Sequence, residues 1–268
     1  EYLGKALKKN VARNQVVIAS KVYFNEDRLS RQAIMREIDG TLSRLGTDYL
    51  DLYIIHRFDY DTPIEETMEA LHDLVKAGKV RALGASAMYG YQFYNMQLAA
   101  RDNGWTPFSA MENHYNLLYR EDERELLPIC KQMKVSLMPY SPLAAGHLAR
   151  PQWKSESLRG TTDRVAMGKY DKTEAEDMQI VKRVAELAEK YNCKMSQIAI
   201  AWQWAKGILS PIIGATKTQY LDDSAGAFDI KLTAEDLAYL EEPYVPHEIV
   251  GAIDKNPAQG VILLDEKK

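Results

Sequence analysis

The apolar residues of this chain are concentrated in short uninterrupted runs, each of which ends at a polar or small residue. The clearest run is Leu52-Tyr53-Ile54-Ile55, which lies between Asp51 and His56. A run of this kind predicts a strand that is buried on both faces, as in the parallel sheets of α/β proteins. Five further runs have the same form and span residues 16–20, 80–85, 109–111, 135–139 and 211–213.

Segments with a helical period separate these runs. Ile34 and Ile38 recur on one helical face, and Gly46 follows that face in the position that a helix C-terminus favours. Thr62 and Pro63 predict a helix start, with a hydroxyl cap and proline at the first helical position. The strands recur about every 30 residues, as repeated β-loop-α units require. We therefore predict an α/β fold, a TIM (β/α)8 barrel, in a single domain over residues 1–268 with a tail at 244–268.

The number of strands and the opening segment suggest that the barrel is incomplete at its N-terminus. Six predicted strands cannot close the usual eight-stranded barrel. The chain also opens with helical spacing in residues 1–9, without a capping residue before it. The first one or two βα units are therefore expected to lie upstream of Glu1. Between residues 143 and 172 the regular spacing is lost, which predicts a long loop of the kind that is usually functional or mobile.

Composition narrows the possible partners and the cellular compartment. A net charge of -4 and a pI near 5.8 leave no basic patch for nucleic acid. No apolar run approaches the ~20 residues that cross a bilayer, and no signal-peptide pattern opens the chain. Cys130 and Cys193 have no paired spacing, which suits free thiols in a reducing compartment. We therefore expect a cytoplasmic protein without a membrane or nucleic-acid partner, and no Cys/His cluster has the spacing of a metal site.

Lys21 and His56 are the strongest catalytic candidates, because each follows a predicted strand. A lysine ammonium can lower the pKa of a nearby acid, and a neutral imidazole can bond an oxygen that gains charge during a reaction. This pair suits carbonyl chemistry at the C-terminal rim of a barrel. The structural alternatives are a solvated lysine at a strand end and a core histidine bonded to backbone. The position of both residues at the rim favours the functional interpretation.

Two further stretches have the composition of a nucleotide site. In residues 137–146 an aromatic ring, Tyr140, precedes a hydroxyl and a turn stiffened by proline and containing Gly146, which can approach a pyrophosphate. In residues 211–217 a strand ends before Thr216 and Lys217, whose side chains and helix start can hold a phosphate. An ordinary turn and a plain helix cap remain the alternatives. No G-x-G-x-x-G follows a strand, which disfavours a Rossmann site, and no G-x-S-x-G elbow is present.

Several short motifs of this chain resemble those of the aldo-keto reductases. They are Glu1-Tyr2-Leu3-Gly4-Lys5-Ala6-Leu7, Ala19-Ser20-Lys21-Val22, Asp51-Leu52-Tyr53-Ile54-Ile55-His56, Gly84-Ala85-Ser86, Asn113-His114-Tyr115-Asn116-Leu117-Leu118, Tyr140-Ser141-Pro142-Leu143-Ala144 and Ile213-Gly214-Ala215. The resemblance extends from Glu1 to about Tyr244 and looks closest to bacterial members. It implies NADPH-dependent reduction of a small-molecule aldehyde or ketone to an alcohol.

The resemblance also implies roles for individual residues. Lys21 matches the lysine that tunes a catalytic tyrosine, and His56 matches the histidine that orients the carbonyl. The aspartate and tyrosine of the catalytic set are expected upstream of Glu1, so residues 1–268 are expected to lack the proton donor and to be inactive by themselves. The residues implied in cofactor binding are Ser86, Glu112, Tyr140, Ser141, Leu143, Gly146, Gly214, Thr216, Lys217, Tyr220, Asp223 and Ser224.

Some of these positions depart from the family pattern. Ala87 replaces an asparagine, and Glu112 stands where a glutamine is expected, so an ionised carboxylate there cannot donate to the amide oxygen of a nicotinamide. Tyr220 and Ser224 also replace other residues, and Arg159 or Arg164 are candidates for a cofactor contact from the long loop.

Two other functions remain open from the sequence. The family resembles the β subunits of potassium channels, which makes a cofactor-binding regulatory module an alternative. A Schiff-base barrel enzyme that uses Lys21 as its nucleophile is the other.

Overall fold

The computed structural model describes residues 1–154, 161–251 and 253. The strands in these residues are β1 Ala19–Val22, β2 Leu50–Ile55, β3 Val80–Ser86, β4 Phe108–Glu112 and β5 Ser136–Leu137. The longer helices are α1 Tyr2–Asn10, α2 Arg31–Leu45, α3 Ile64–Lys76, α4 Gly90–Asn103, α5 Leu126–Gln132, α6 Arg164–Tyr170, α7 Glu174–Lys190, α8 Met195–Ala205, α9 Thr218–Ala225 and α10 Ala234–Glu241.

The described residues form two compact units. The first unit contains Glu1–Met111 and Ile129–Val135, and the second contains Glu112–Pro128 and the described part of Ser136–Asp254. The first therefore carries β1 to β3 with α1 to α4, and the second carries β5 with α6 to α10. The expectation of a single domain stays a prediction.

The sheet of the first unit has its strands in chain order, β1 to β4. β1 pairs with β2 and β2 with β3, in both cases in parallel. Lys21 lies opposite Ile54, and Ile54 lies opposite Gly84. Sequential parallel neighbours are what consecutive βα units produce, so this part of the predicted α/β architecture is confirmed.

One face of this sheet carries the apolar core of the first unit. Val22, Tyr53, Ile55 and Ala85 have exposed fractions of 3% or less. Burial, followed by the charge of Glu37 on α2, raises the pKa of Tyr53, which indicates that α2 lies over this face. Since side chains alternate along a strand, Lys21, Ile54 and Gly84 belong to the opposite face. Ile54 and Ser86 are each 1% exposed, so the second face is packed as well, and Lys21, which is exposed, lies near the end of β1 on this face.

The helix ends follow the predicted chemistry in one case and depart from it in another. Ser30 accepts a hydrogen bond from the Ala33 N–H (3.2 Å) at the start of α2, and Gly46 ends that helix in the left-handed conformation (φ 68°), as predicted. The predicted start of α3 is wrong by one residue, because Pro63 is the N-cap. The Thr62 hydroxyl instead donates to Asp59 (2.7 Å).

Three predicted strands differ from the observed structure, and the one predicted over residues 135–139 is reduced to Ser136–Leu137. β1 begins later than predicted because the Ile18 N–H donates to the Asp51 carboxylate (2.9 Å), so regular pairing starts at Ala19. The strand predicted over residues 211–213 is wrong. Ile212 donates one hydrogen bond to the Pro139 carbonyl (2.9 Å), but Pro211 has no N–H with which to extend a ladder.

The core of the second unit lies where α7, α8 and the kinked 3₁₀ segment Ala144–Ala149 meet. Trp202 of α8 is fully buried, and its ring centroid lies 5.1 Å from that of Tyr115. The indole N–H donates to Glu241 of α10 (2.9 Å), which satisfies the polar atom of a large apolar side chain. This core holds the segment that follows Tyr140 in place.

The described start of the C-terminal tail is bound to the second unit by polar contacts. Tyr244 donates from its hydroxyl to Glu121 (2.8 Å), and the His247 N–H donates to the same carboxylate (2.7 Å). The His247 imidazole contacts Asp177 at 3.0 Å, and both side chains are almost fully buried. Burial disfavours a charged imidazole, but the hydrogen bond and charge of Asp177 outweigh that cost and raise the pKa of His247.

Residues 155–160, 252 and 254–268, with Arg159 and most of the predicted tail, lie outside the described residues. In the described part of the chain, no helix is both long enough and apolar enough to pass through a membrane.

The raised pKa of His247 predicts a pH-dependent contribution to stability. A group whose pKa is higher in the folded state stabilises the fold below its unfolded pKa, and that stabilisation is lost as the pH rises through the folded value. His247→Gln should therefore lower the free energy of unfolding more at pH 6 than at pH 9, as measured by urea denaturation. The matched control is Glu248→Gln, since that neighbouring carboxyl is 85% exposed and its loss should change stability little at either pH. A deficit of equal size at both pH values would contradict the charged pair.

Candidate active site

Three of the predicted site residues lie on the same face of the first unit's sheet. Lys21, Ile54 and Gly84 are in register, and His56 and Ser86 each follow two residues after a member of that row. Because side chains two residues apart point to the same side of a strand, Lys21, His56 and Ser86 share one face at the C-terminal ends of β1, β2 and β3. The structure therefore brings these three residues together, as predicted for a barrel rim.

Gly84 leaves room for neighbouring groups that pack below the polar side chains. A Cβ atom at Gly84 would lie 3.0 Å from Ile54 Cγ1 and 3.4 Å from the Ala110 carbonyl oxygen. Side chains from the neighbouring strands therefore occupy the space where a larger residue would project. The absence of a side chain at Gly84 allows the strands to approach closely beneath His56 and Ser86.

The surroundings of His56 favour its neutral form. Burial is the largest cause that lowers the pKa of His56, followed by the positive charges of Lys21 and Arg57. The His56 backbone N–H donates to the Val22 carbonyl (2.9 Å), which continues the pairing of β1 with β2 beyond the last strand residue. The Phe24 ring meets the imidazole edge to face, with centroids 5.0 Å apart. A neutral imidazole held in this way can form a hydrogen bond with a carbonyl oxygen at neutral pH.

Ser86 is followed by an unusual backbone conformation. Ser86 has an exposed fraction of 1%, and Ala87 adopts the left-handed region at φ 47°. Asparagine tolerates this region better than alanine does, so Ala87 places strain directly after the predicted carboxamide contact. Strained backbone of this kind is concentrated at functional sites.

In the second unit, Tyr140 belongs to a stack of aromatic rings. The Tyr140 ring lies parallel to that of His114, with centroids 5.2 Å apart and an interplanar angle of 6°. Tyr119 stacks on the same histidine at 4.2 Å, and the Lys169 ammonium lies 4.7 Å from the Tyr140 centroid. The Tyr140 N–H donates to the Asn113 carbonyl (2.9 Å). The ring predicted to stack on nicotinamide is thus supported by an aromatic partner and a cation.

His114 was quoted in the sequence motif but received no predicted role. Its Nε2 atom forms a hydrogen bond with the Tyr170 hydroxyl (2.7 Å), which also accepts from the Asn116 side chain (3.1 Å). Burial, with a smaller effect of Lys169, lowers the pKa of His114 well below its ordinary value. Asn116 donates a second hydrogen bond to the Ser141 carbonyl (2.9 Å) and so positions the segment after Tyr140. The role of His114 in the stack depends on a tertiary partner, Tyr170, which lies far away in the sequence.

The segment from Ser141 to Gly146 contains several residues with positive φ. Ser141, Ala144 and Ala145 have φ values of 56°, 46° and 56°, and Gly146 has φ 100°. The Gly146 carbonyl accepts from the Arg150 guanidinium (2.9 Å). This concentration of left-handed residues marks the segment as a ligand-site candidate, because non-glycine residues seldom adopt that conformation without tertiary support. Leu143, also predicted here, is half-buried next to Ala144.

A cavity of about 530 Å³ lies beside this segment and includes His147, Arg150 and Trp153 in its lining. His147 stacks on Trp153 with centroids 4.0 Å apart. The His147 Nδ1 atom and the Arg150 Nε atom are buried, and no hydrogen-bond partner within the described residues reaches either atom. Burial lowers the pKa of both side chains. Sequence analysis predicted a functional loop here but did not identify these residues.

The predicted phosphate and adenine residues lie around the start of α9. Gly214, Thr216, Lys217 and Tyr220 are exposed, and Lys217 is the N-cap of the helix. Two of the predicted residues already have internal partners. Asp223 pairs with Lys194 (2.6 Å), and the Ser224 hydroxyl donates to the Tyr220 carbonyl (2.7 Å).

Two other predicted residues, Glu112 and Arg164, lie at the ends of secondary-structure elements. Glu112 is the last residue of β4 and is 6% exposed, and Arg164 opens α6 on an exposed surface. In the part of the chain that the structure describes, no group of three or more His, Cys, Asp or Glu side chains could hold a metal ion.

Comparison with known proteins identifies the class to which this fold and these residues belong. The profile of the Aldo/keto reductase family matches residues 1–244, and the chain belongs to this family. Its fold class is accordingly the α/β barrel, as predicted, and the family generally uses NAD(P)H.

Similar proteins include three from fungi. The chain is 47% identical over 233 residues to an aldo-keto reductase of Fusarium vanettenii, covering 87% of this chain and 62% of that protein. It is 42% identical over 274 residues to versiconal hemiacetal acetate reductase of Aspergillus parasiticus, with 93% and 80% covered. It is 44% identical over 227 residues to an aldo-keto reductase of Alternaria alternata, with 84% and 60% covered. The chain thus spans between three fifths and four fifths of these relatives, and the expected affinity to bacterial members stays a prediction.

The environment of His56 predicts its titration. In an NMR titration of the histidine ring protons, His56 should have a pKa below its ordinary value of about 6.5. Lys21→Met should raise that pKa, since it removes one of the two cations that disfavour protonation. Lys8→Met, which removes an exposed lysine of α1, is the control and should leave His56 unchanged. A His56 pKa that does not respond to Lys21→Met would contradict the proposed coupling.

Proposed function

We propose that this protein reduces an aldehyde or ketone to an alcohol with NADPH as the hydride donor. The observation that carries the proposal is the common face of Lys21, His56 and Ser86 at the ends of three adjacent parallel strands. Family membership supports the same reaction class. The versiconal hemiacetal acetate reductase of Aspergillus parasiticus is named for a reductase activity and lends further support.

His56 and Lys21 have proposed parts in the reaction, and Ser86 is proposed to bond the nicotinamide carboxamide. His56 holds the substrate carbonyl by a hydrogen bond from its neutral imidazole to the oxygen. The Lys21 ammonium provides positive potential as negative charge develops on that oxygen, and it favours ionisation of a neighbouring acid. A bound nicotinamide dinucleotide supplies the hydride. The family resemblance implies a tyrosine as the proton donor of the reaction.

The second unit has features that fit the cofactor's phosphates. The buried Arg150 Nε–H has no partner among the described residues, although a guanidinium ordinarily satisfies all its donors when buried. An anionic oxygen at this point would supply the missing acceptor. We therefore assign pyrophosphate binding to Ser141, Leu143 and Gly146, with Arg150 as an additional donor from the cavity side.

The preference for NADPH over NADH is proposed for Thr216 and Lys217. Both are exposed at the start of α9, where helix N–H groups favour an anion and the lysine adds a full positive charge. A 2′-phosphate distinguishes NADPH from NADH. The ion pair between Lys194 and Asp223 orients the Asp223 carboxylate, which is proposed with Ser224 to face the adenine.

The compartment proposed is the cytoplasm. Cys130 and Cys193 are both free thiols, which supports a reducing environment.

Cofactor titration tests the role of Lys217. Lys217→Met should raise the Kd for NADPH by about tenfold or more, because a charge-assisted hydrogen bond is lost, and should change the Kd for NADH far less. Binding is measured by the fluorescence of the reduced cofactor. Lys182→Met removes an equally exposed lysine from α7 and should leave both values unchanged. Equal loss of affinity for both cofactors would contradict a 2′-phosphate contact.

Turnover tests the roles of Lys21 and His56. The assay uses the protein including the residues that precede Glu1 and follows NADPH oxidation with small aldehydes. Lys21→Met and His56→Gln should each lower kcat/KM by at least about a hundredfold while NADPH still binds. Persistent turnover in both variants would contradict the mechanism.

Other outcomes would support the alternatives. Tight NADPH binding without turnover, together with a stable partner protein, would favour a regulatory module. Borohydride trapping of a substrate on Lys21 would favour a Schiff-base enzyme.

A further inference from the structure

Phe24 and Arg57 form a pair beside His56, in which Phe24 is exposed and Arg57 is half-buried. The His56 ring centroid lies 5.0 Å from that of Phe24, and the Arg57 guanidinium carbon lies 4.9 Å from the same ring centre. Phe24 is 67% exposed, although large apolar residues are normally covered. An imidazole and a guanidinium therefore flank one accessible aromatic ring at the end of β2.

Arg57 has no acidic partner among the residues that the structure describes. It is half-buried, its guanidinium lies over the Phe24 ring, and its charge acts on His56. A guanidinium in this setting retains five N–H donors in a fork that matches a carboxylate. The Arg57 guanidinium can therefore bind an anion. It lies directly after the residue proposed to hold the substrate carbonyl.

The nearby carboxylates are already occupied by other groups. The buried Asp59 accepts from the Leu29 N–H (3.1 Å), the Asp61 N–H (3.1 Å) and the Thr62 hydroxyl (2.7 Å). Asp61 pairs with Arg28 at 2.5 Å. The acidic residues Asp59 and Asp61 therefore organise their own loop, and neither of them pairs with Arg57.

The charge of Arg57 also affects the neighbouring imidazole of His56. The Arg57 cation is one of the causes that lower the pKa of His56, and two positive charges near one imidazole repel each other and any proton on it. A ligand that brings a negative group to Arg57 would relieve this repulsion. The Phe24 ring, which meets His56 edge to face, also offers an apolar surface on which a planar ligand can lie.

We propose that Phe24 and Arg57 select an aromatic carbonyl substrate that carries a carboxylate. The carbonyl lies at His56, the aromatic ring of the substrate packs on Phe24, and the carboxylate pairs with Arg57. This inference rests on the proposed carbonyl reduction and specifies its substrate class. Arg57 acts in substrate selection, and hydride transfer itself does not require its charge.

The kinetic test compares a charged and an uncharged form of one substrate. The probes are 4-formylbenzoate and its methyl ester, assayed with NADPH and the protein that includes the residues preceding Glu1. The ratio of kcat/KM for the acid to that for the ester should fall at least tenfold in Arg57→Met, mainly through KM. Arg57→Lys should give an intermediate ratio, since lysine keeps the charge but not the fork.

Arg101→Met is the matched control. Arg101 lies in the last turn of α4 with 68% of its side chain exposed, and its removal changes the net charge by the same amount. The ratio should stay at its original value in this variant. Thermal unfolding followed by circular dichroism checks that each variant is folded.

A binding test separates this inference from the proposed function. The ligand is 4-(hydroxymethyl)benzoate, the alcohol product of the charged probe. Its binding to the protein is measured by isothermal titration calorimetry, which requires no turnover. The chain should bind this acid, and Arg57→Met should weaken binding at least tenfold. If neither aldehyde is reduced but the acid binds through Arg57, the proposed reaction fails and the anion site stands.

Two results would overturn the inference. One is an acid-to-ester ratio, or an affinity for the product acid, that is the same in Arg57→Met and in the parent chain. The other is a loss of NADPH affinity in Arg57→Met without any change in that ratio, which would assign Arg57 to the phosphates of the cofactor.

Discussion

The parallel register of β1, β2 and β3 determines which polar side chains of the first unit can act together. With Lys21 opposite Ile54 and Ile54 opposite Gly84, the strands deliver Lys21, His56 and Ser86 to one face. A shift of one residue in either pairing would send one of these side chains to the apolar face that lies against the helices. The residues of the opposite parity, such as Ile55 and Ala85, are buried and resist such a shift. Packing on one side of the sheet thus maintains the arrangement of polar groups on the other.

The histidines of the two units show how similar surroundings serve different ends. His56 and His114 both have pKa values that are lowered first by burial and then by nearby cations. His114 is enclosed by Tyr119, Tyr140 and Tyr170, so its neutral ring serves as part of a stack. His56 lies beside an exposed ring and is only half-buried, so its neutral ring is open to a ligand. Burial favours the neutral form of both imidazoles. The surrounding side chains determine whether the neutral ring packs in a stack, as for His114, or is accessible to a ligand, as for His56.

Local patterns in the sequence predicted the strands and several helix ends, and they were weaker where tertiary contacts decide. The run before His56 predicted β2 because an apolar β-branched segment of that length has few other uses in an α/β protein. Residues 211–213 have a similar composition, but Pro211 cannot donate to a ladder and the segment forms only an isolated hydrogen bond to Pro139. The start of β1 depends on the Asp51 side chain, which lies more than thirty residues away from Ile18. The local sequence pattern around Ile18 does not predict this hydrogen bond.

The same distinction applies to the candidate site. Lys21, His56 and Ser86 were predicted from their places at the ends of apolar runs, and the sheet brings them to one face. Two features of the second unit join residues that are distant in the sequence: the stack around His114 and the pairing of His247 with Asp177. The Arg150 Nε atom is buried by the tertiary structure and has no partner among the described residues, which the sequence does not show either. Arg57 was visible as a residue after a strand, but the sequence does not show that Asp59 and Asp61 bond to other groups in the described residues and do not pair with Arg57.

The most direct measurement is a crystal structure of the chain with NADP⁺ bound. The nicotinamide carboxamide is expected within hydrogen-bond distance of Ser86, with the nicotinamide ring beside Lys21 and His56. Density for the nicotinamide away from this face, with Ser86 and His56 free of the cofactor, would contradict the assignment of the three strand ends as the site of carbonyl reduction.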